Sequence, residues 1–222
     1  MAAPPQVSMA VERDRMIPMR DGTLMATDIY MPESAGPVPL LLERTPYGKH
    51  LPSRSEIRAA DPATPLSREE VARAFVQKGF AVAYQDTRGR WASGGRFAKY
   101  LAEAEDGFDA IAALAADPRV DGRIGMFGLS YCAHTQVAPA SLGPPALQAM
   151  VVDSGGGSNA HRAGVRQGGA FGWKQATWAL RQARLSPEAA SDPLLKAALD
   201  AEDVRAAAAA REPLAPGSLF DE

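Results

Sequence analysis

The chain has 222 residues, 46% of them hydrophobic and 23% charged, with a formal net charge of −2. That balance suits one sizeable globular core and excludes the basic surface that would hold nucleic acid or an anionic membrane. The single cysteine, Cys132, excludes an internal disulfide framework, and no apolar run approaches the roughly 18 residues of a membrane-spanning helix.

Residues 1–15 read as a flexible lead-in. They hold two prolines and the charged run Glu12-Arg13-Asp14-Arg15, with no apolar stretch of the kind a signal peptide needs, which points to the cytoplasm. A strand ends at Met19-Arg20-Asp21-Gly22, whose Asp-Gly pair signals a hairpin turn, and Leu24–Tyr30 alternates as the partner strand. The apolar run Val38–Glu43 reads as a strand buried on both faces. Arg44–Pro65 is a long loop with four prolines, and a loop of that length in a compact domain points to function. Ser67-Arg68-Glu69-Glu70 is a capping box opening a helix that Gly79 closes. Phe80–Gln85 is a buried strand, Asp86–Gly95 a glycine-rich loop and Ala102–Ala116 a helix ended by Pro118. Arg123–Phe127 is a strand, a helix starts near Tyr131, and Leu147–Val152 is a further strand.

After the hairpin, strands and helices alternate, which predicts an α/β fold: a mostly parallel sheet with helices on both faces and right-handed crossovers. The core spans residues 16–154. From 155 to 222 the pattern changes at Gly155-Gly156-Gly157. Trp173, Ala176, Leu180 and Arg184 then recur at helical spacing before an alanine-rich stretch through Ala206–Ala210, so this tail is expected to be helical, without strands, as a cap segment.

The chemistry-bearing motif is Gly125-Met126-Phe127-Gly128-Leu129-Ser130-Tyr131-Cys132, at a strand-to-helix junction. Such a junction lifts a serine hydroxyl at the C-terminal edge of a sheet and sets the next backbone N–H, here that of Tyr131, at a helix N-terminus suited to an oxyanion. Gly128 gives the turn room, and where the usual G-x-S-x-G pattern has its second glycine this chain has the small Cys132. Ser130 is thereby the candidate nucleophile.

The sequence resembles the cocaine esterase and α-amino acid ester hydrolase group of the X-Pro dipeptidyl-peptidase-like hydrolases. Five segments carry the resemblance, in the family's order: Met19–Gly22, Arg44-Thr45-Pro46-Tyr47, Gln85-Asp86-Thr87-Arg88-Gly89, Asp121–Tyr131, and the stretch from Arg162 to Gly169. The resemblance implies an α/β-hydrolase domain, a helical cap and a later jelly-roll domain. It implies Ser130 as nucleophile, with the Tyr47 hydroxyl and the Tyr131 backbone N–H as the two oxyanion donors; read alone, Tyr47 is a loop aromatic packed on its neighbours. The α-amino ester hydrolases have a carboxylate two residues after this tyrosine. Lys49 stands there instead, which argues against α-amino substrates. Asp86 and Arg88 read as scaffold for the loop beside the nucleophile.

A serine nucleophile needs a base, and the base an orienting acid. The resemblance places both on strands after the cap. Of the three histidines, His134 reads as a packed helix residue, His50 could border the pocket, and His161 opens the cap; Asp153 could serve as an acid only with a histidine to orient. The expected activity is hydrolysis of a small-molecule carboxylic ester or amide, with an acyl pocket near Trp91, Phe171 and Trp173 and no metal or cofactor. The other reading is a non-catalytic fragment or a subunit completed by a second chain, with an open apolar sheet edge prone to self-association.

Overall fold

The computed structural model describes residues 7–33, 36–52, 56, 61, 63–155, 166–167, 170–203 and 206. The chain divides into two units, Met1–Gly157 and Ser158–Glu222.

In the first unit, β1 (Met9–Pro18) and β2 (Leu24–Pro32) form an antiparallel hairpin. Its turn closes through the Gly22 N–H to the Met19 carbonyl, with Gly22 at φ 82°, a left-handed conformation that costs glycine nothing. β1 begins at Met9, so residues 9–15 belong to the sheet rather than to a flexible lead-in. The charges that suggested mobility are paired along this edge strand: Arg13 with Asp28, Arg15 with Asp117 and Glu12 with Arg119.

Four strands follow: β3 (Val38–Thr45), β4 (Ala81–Asp86), β5 (Val120–Leu129) and β6 (Leu147–Asp153). They are linked by α1 (Arg68–Val76), α2 (Glu103–Ala115) and α3 (Tyr131–Ala140). The sheet order is β1-β2-β4-β3-β5-β6, with β4, β3, β5 and β6 parallel and β2 antiparallel to β4. The capping box at Ser67 and Glu70 is formed, satisfying donors that the first turn of α1 would leave open. On β4, Ala81 and Ala83 face a core shared with Leu40, Leu42, Ile111, Leu114 and Ile124, while Val82 and Tyr84 face Tyr30, Ala72 and Val76 on the other side. That two-sided burial is why these strands read as continuous apolar runs. The order of strands reverses at β3, and the C-terminal ends of β4, β3 and β5 meet along one edge of the sheet, where open α/β sheets form their crevice.

The second unit contains α4 (Trp173–Ala183), α5 (Pro187–Ser191) and α6 (Pro193–Ala201), packed on Ala176, Leu180, Ala189 and Leu199. It also contains two strands, β7 (Arg166–Gln167) and β8 (Ala170–Phe171), paired antiparallel, so the expectation of a tail without strands is corrected. Two residues per strand are too few for alternation to register in the sequence. Of the alanine-rich stretch, residues 207–210 lie outside the described residues. No helix among the described residues is long and apolar enough to cross a membrane.

Where α2 meets α3, a Cβ placed on Gly107 would lie 2.6 Å from Pro139 Cγ, a rigid ring that cannot swing aside. Gly107→Ala should therefore lower stability by about 1–3 kcal/mol. Urea denaturation checks this through a lower midpoint at unchanged slope.

Candidate active site

Ser130 sits between β5 and α3 at φ 62° and ψ −112°, outside the regions an L-residue ordinarily occupies, and its side chain is exposed. The surroundings impose this bend. The Ser130 N–H donates to the Asp153 carbonyl at the end of β6 (2.9 Å), while its own carbonyl accepts from Ala133 and His134 in the first turn of α3. Gly128, at φ 142°, has no room for a side chain: a Cβ there would lie 2.5 Å from the Cβ of Cys132. A Cβ on Gly155 would lie 2.8 Å from the Ser130 carbonyl oxygen. Strand and helix thus approach too closely at this turn for anything but glycine at 128.

The loop after β3 carries Tyr47 to the same edge. Its path is fixed by the 86–93 loop, which grips it from several points. The Pro46 carbonyl accepts from Arg90 Nε (3.2 Å) and Trp91 Nε1 (3.0 Å), and the Thr45 carbonyl accepts from the Thr87 N–H (3.0 Å). Asp86 Oδ1 accepts from the Lys49 N–H (2.7 Å), and Ser93 Oγ donates to the Asp86 carbonyl (2.7 Å). Lys49 itself is buried, its Nζ bonded to Asp28 (2.6 Å) and paired with Asp14 (2.7 Å). Arg88 ties together Asp106, Asp21 and Thr23. The Arg88 guanidinium holds the Asp21 carboxyl well below the usual carboxylate range.

The rings of Tyr47 and Tyr131 meet edge to face, 6.5 Å between centroids. Tyr131 is buried; its hydroxyl donates to Glu103 Oε1 (2.9 Å) and accepts from the Tyr100 N–H (3.0 Å), and Tyr100 stacks on its ring at 4.9 Å. Glu103 also takes Arg44 Nη1 on Oε2 (2.8 Å). Cys132 is buried among Glu43, Thr45 and Arg68, and burial pushes its thiol pKa up, so it stays protonated.

Ser130, Tyr131 and Tyr47 are thus gathered on one edge. Trp91 stands beside the Tyr47 loop, with its indole N–H used on Pro46 and its ring against His50 at 5.1 Å. Trp173 belongs to the second unit and is 45% exposed, and the side chain of Phe171 and all of His161 lie outside the described residues. The His134 ring packs on Tyr100 (4.3 Å) and Tyr131 (6.2 Å). The Asp153 carboxylate accepts from Ser154 Oγ (2.7 Å). Sequence reasoning missed Glu103 and Tyr100. Glu103 shares the first turn of α2 with Glu105 and Asp106, where acidic residues are ordinary complements of the helix dipole, so nothing marked it out.

A family model for X-Pro dipeptidyl-peptidase (S15 family) matches residues 21–218. The chain is 38% identical over 141 residues to the cocaine esterase of Rhodococcus sp., covering 64% of this chain and 23% of that protein. A solved α-amino acid ester hydrolase shares 30% identity at a TM-score of 0.54, covering 68% of this chain and 26% of its own. A CocE/NonD family hydrolase from Staphylococcus aureus shares 30% identity at a TM-score of 0.55, covering 64% and 27%. The chain spans about a quarter of the length of these relatives. The sheet carries the α/β-hydrolase fold that they share.

Burial pushes the Asp86 carboxyl up to about 6. Unfolded, it should titrate near the ordinary value of about 4. The native state therefore holds the extra proton between those values, and stability falls as pH rises through that window, by about 3 kcal/mol in full. Asp86→Asn removes this dependence. Its stability relative to the wild-type chain should rise by about 2 kcal/mol between about pH 4 and about pH 7.5 in urea denaturation, and a difference that stays constant refutes the assignment.

Proposed function

The chain belongs to the X-Pro dipeptidyl-peptidase (S15) family, and on that footing we propose that it is the nucleophile-bearing part of a serine hydrolase that cleaves small-molecule carboxylic esters, or amides, through an acyl intermediate on Ser130. One observation carries the reading: Ser130 is an exposed serine held at φ 62° between a parallel strand and the helix that follows it. A strained residue at a strand-to-helix turn persists only when its neighbours over-determine it, and such turns present nucleophiles.

In this reading the Ser130 hydroxyl attacks the acyl carbon. The carbonyl oxygen takes up the electron pair and is stabilised by the Tyr47 hydroxyl and the Tyr131 N–H, the latter aided by the α3 dipole. A base takes the Ser130 proton and gives it to the alcohol or amine that collapse expels, and water activated by the same base then releases the acid. Trp91 would line the acyl side. No metal or cofactor, nucleic acid or membrane enters the scheme, and the buried Cys132 thiol suits a reducing, cytoplasmic setting.

The base and the acid that orients it are proposed to come from a segment outside the quarter of the relatives' length spanned here, on a longer polypeptide or a complementing chain. What favours this is β6, which pairs with β5 alone among the described strands and leaves Val151 67% exposed. An unpaired apolar edge is a template for a further strand. The second reading, a non-catalytic homologue, keeps the same fold and leaves Ser130 inert.

Treating the purified chain with a fluorophosphonate and locating the adduct by mass spectrometry separates the readings. Label on Ser130, lost in Ser130→Ala, supports the hydrolase; a folded chain with no label sinks the claim that it reacts unaided. Tyr47→Phe removes one oxyanion donor and should slow labelling by about 100-fold or more.

A further inference from the structure

The elbow has an anchor that the reaction scheme does not use. Glu103, at the start of α2, is 4% exposed. Its two carboxylate oxygens are divided between two partners. Oε2 accepts from Arg44 Nη1 at 2.8 Å, and Oε1 accepts from the Tyr131 hydroxyl at 2.9 Å. The same guanidinium reaches the Glu103 backbone carbonyl (3.2 Å), and its Nε donates to Gln85 Oε1 on β4 (2.8 Å). The carboxylate is thus held rigidly from β3 and β4 and passes that rigidity to one atom, the Tyr131 hydroxyl.

Tyr131 is the residue that follows the strained serine. Its ring is stacked on Tyr100 and set edge-on to Tyr47, so the side chain whose backbone would supply one oxyanion donor also touches the side chain that would supply the other. Its hydroxyl is saturated by a donor and an acceptor from the loop before α2 and from α2 itself, the Tyr100 N–H and Glu103. A residue at φ 62° relaxes unless held from several sides. On the α3 side the bend is also held by Thr135 Oγ1 on the Arg44 carbonyl and Gln136 Nε2 on the Gly128 carbonyl, but this hydroxyl is the hold carried by the residue whose N–H is at stake.

We propose that Glu103 is a positioning residue for the nucleophile turn, fixing through the Tyr131 hydroxyl both the Tyr131 N–H and the packing of Tyr47 against it. The proposal rests on the serine-hydrolase reading only for its consequence in catalysis. The mechanical claim, that this contact holds the turn, stands on the geometry. Burial pushes the Glu103 pKa upward, and Arg44 and the Tyr131 hydroxyl offset only part of that rise.

Tyr131→Phe is the discriminating variant, because it deletes one hydroxyl and keeps the ring and the backbone N–H. Glu103→Ala is its counterpart. It also strips Arg44 of a buried partner and is read only where it folds; Tyr131→Phe decides the matter alone where it does not. Two measurements are made on the 222-residue chain. The first is the backbone amide order parameter of Ser130 and Tyr131 by nitrogen-15 relaxation. It is expected to fall from about 0.85 toward 0.6 in Tyr131→Phe, with helix α2 unchanged. The second is the rate of fluorophosphonate labelling at Ser130, expected to fall roughly ten- to hundredfold from lost alignment, with no change in the urea midpoint large enough to account for it. Unchanged order parameters in Tyr131→Phe overturn the proposal whether or not Ser130 reacts, and so does labelling as fast as in the wild-type chain. Absence of label in the wild-type chain counts against its reacting unaided instead, and the order parameters then still decide whether Glu103 holds the turn.

Discussion

A single guanidinium with no exposed surface underlies the geometry of this edge of the sheet. Arg44 is the penultimate residue of β3, just before the loop that carries Tyr47, and from there it reaches Gln85 on β4 and Glu103 on α2. Its backbone carbonyl accepts from Thr135 Oγ1 on α3 (3.0 Å), so three of the elements that converge on the crevice are tied to one residue of the fourth. Removing one partner from a buried pair of this kind typically costs about 3–5 kcal/mol, because the other charge is left without compensation. That asymmetry makes the pair a poor source of net stability and a strong enforcer of position. Strands and helices packed only by Leu40, Ile111 and Ile124 could slide by a fraction of an ångström; ones that must also keep a guanidinium, a carboxylate and a phenol in register cannot.

The opposite face of the sheet has a second buried pair. Glu43, adjacent to Arg44 and pointing the other way, is paired with Arg68 at the start of α1, and the Arg68 guanidinium lies 4.7 Å from the Tyr84 ring centroid. Cys132 stands beside this pair, on α3, at the position where a glycine would leave room. Successive residues of one strand thus anchor helices on both faces, and α3, with Thr135 tied to Arg44 and Cys132 set beside Glu43, touches both anchors. The bend at Ser130 is held between them. This explains how a backbone conformation that costs about 1–3 kcal/mol persists at Ser130.

Much of this was legible in the sequence, for reasons that can be named. Periodicity and turn chemistry act locally, so the Asp21-Gly22 hairpin, the Ser67 capping box and the alternation of strands and helices could be read residue by residue. The glycine two residues before Ser130 was readable because close approach of strand and helix excludes a side chain there. The bracing was not readable. Arg88 reaching Asp21 and Asp106, or Arg90 and Trp91 sharing the Pro46 carbonyl, are contacts between segments far apart in the chain, and each residue alone looks like any loop arginine or tryptophan. β1 was underestimated for a related reason. Its charges resemble a solvated tail until their partners Asp28, Asp117 and Arg119 are brought alongside by the fold.

Lys49 shows how far a substitution at a chemical position can be absorbed by its surroundings. Two residues beyond Tyr47, a cation aimed at the crevice would reverse the polarity of the site. Here the β-bulge between Glu12 and Arg15 places Asp14 at φ 52°, and its carboxylate joins that of Asp28 on Lys49 Nζ. The ammonium is thereby neutralised from both sides and buried, and its pKa is raised by those two partners against the cost of burial. The positive charge serves the hairpin instead of the crevice, fastening the Tyr47 loop to β1 and β2 from below while Asp86 fastens its backbone from the side. The edge beside Ser130 carries two tyrosine rings, an indole whose N–H is already engaged, and the Asp153 carboxylate.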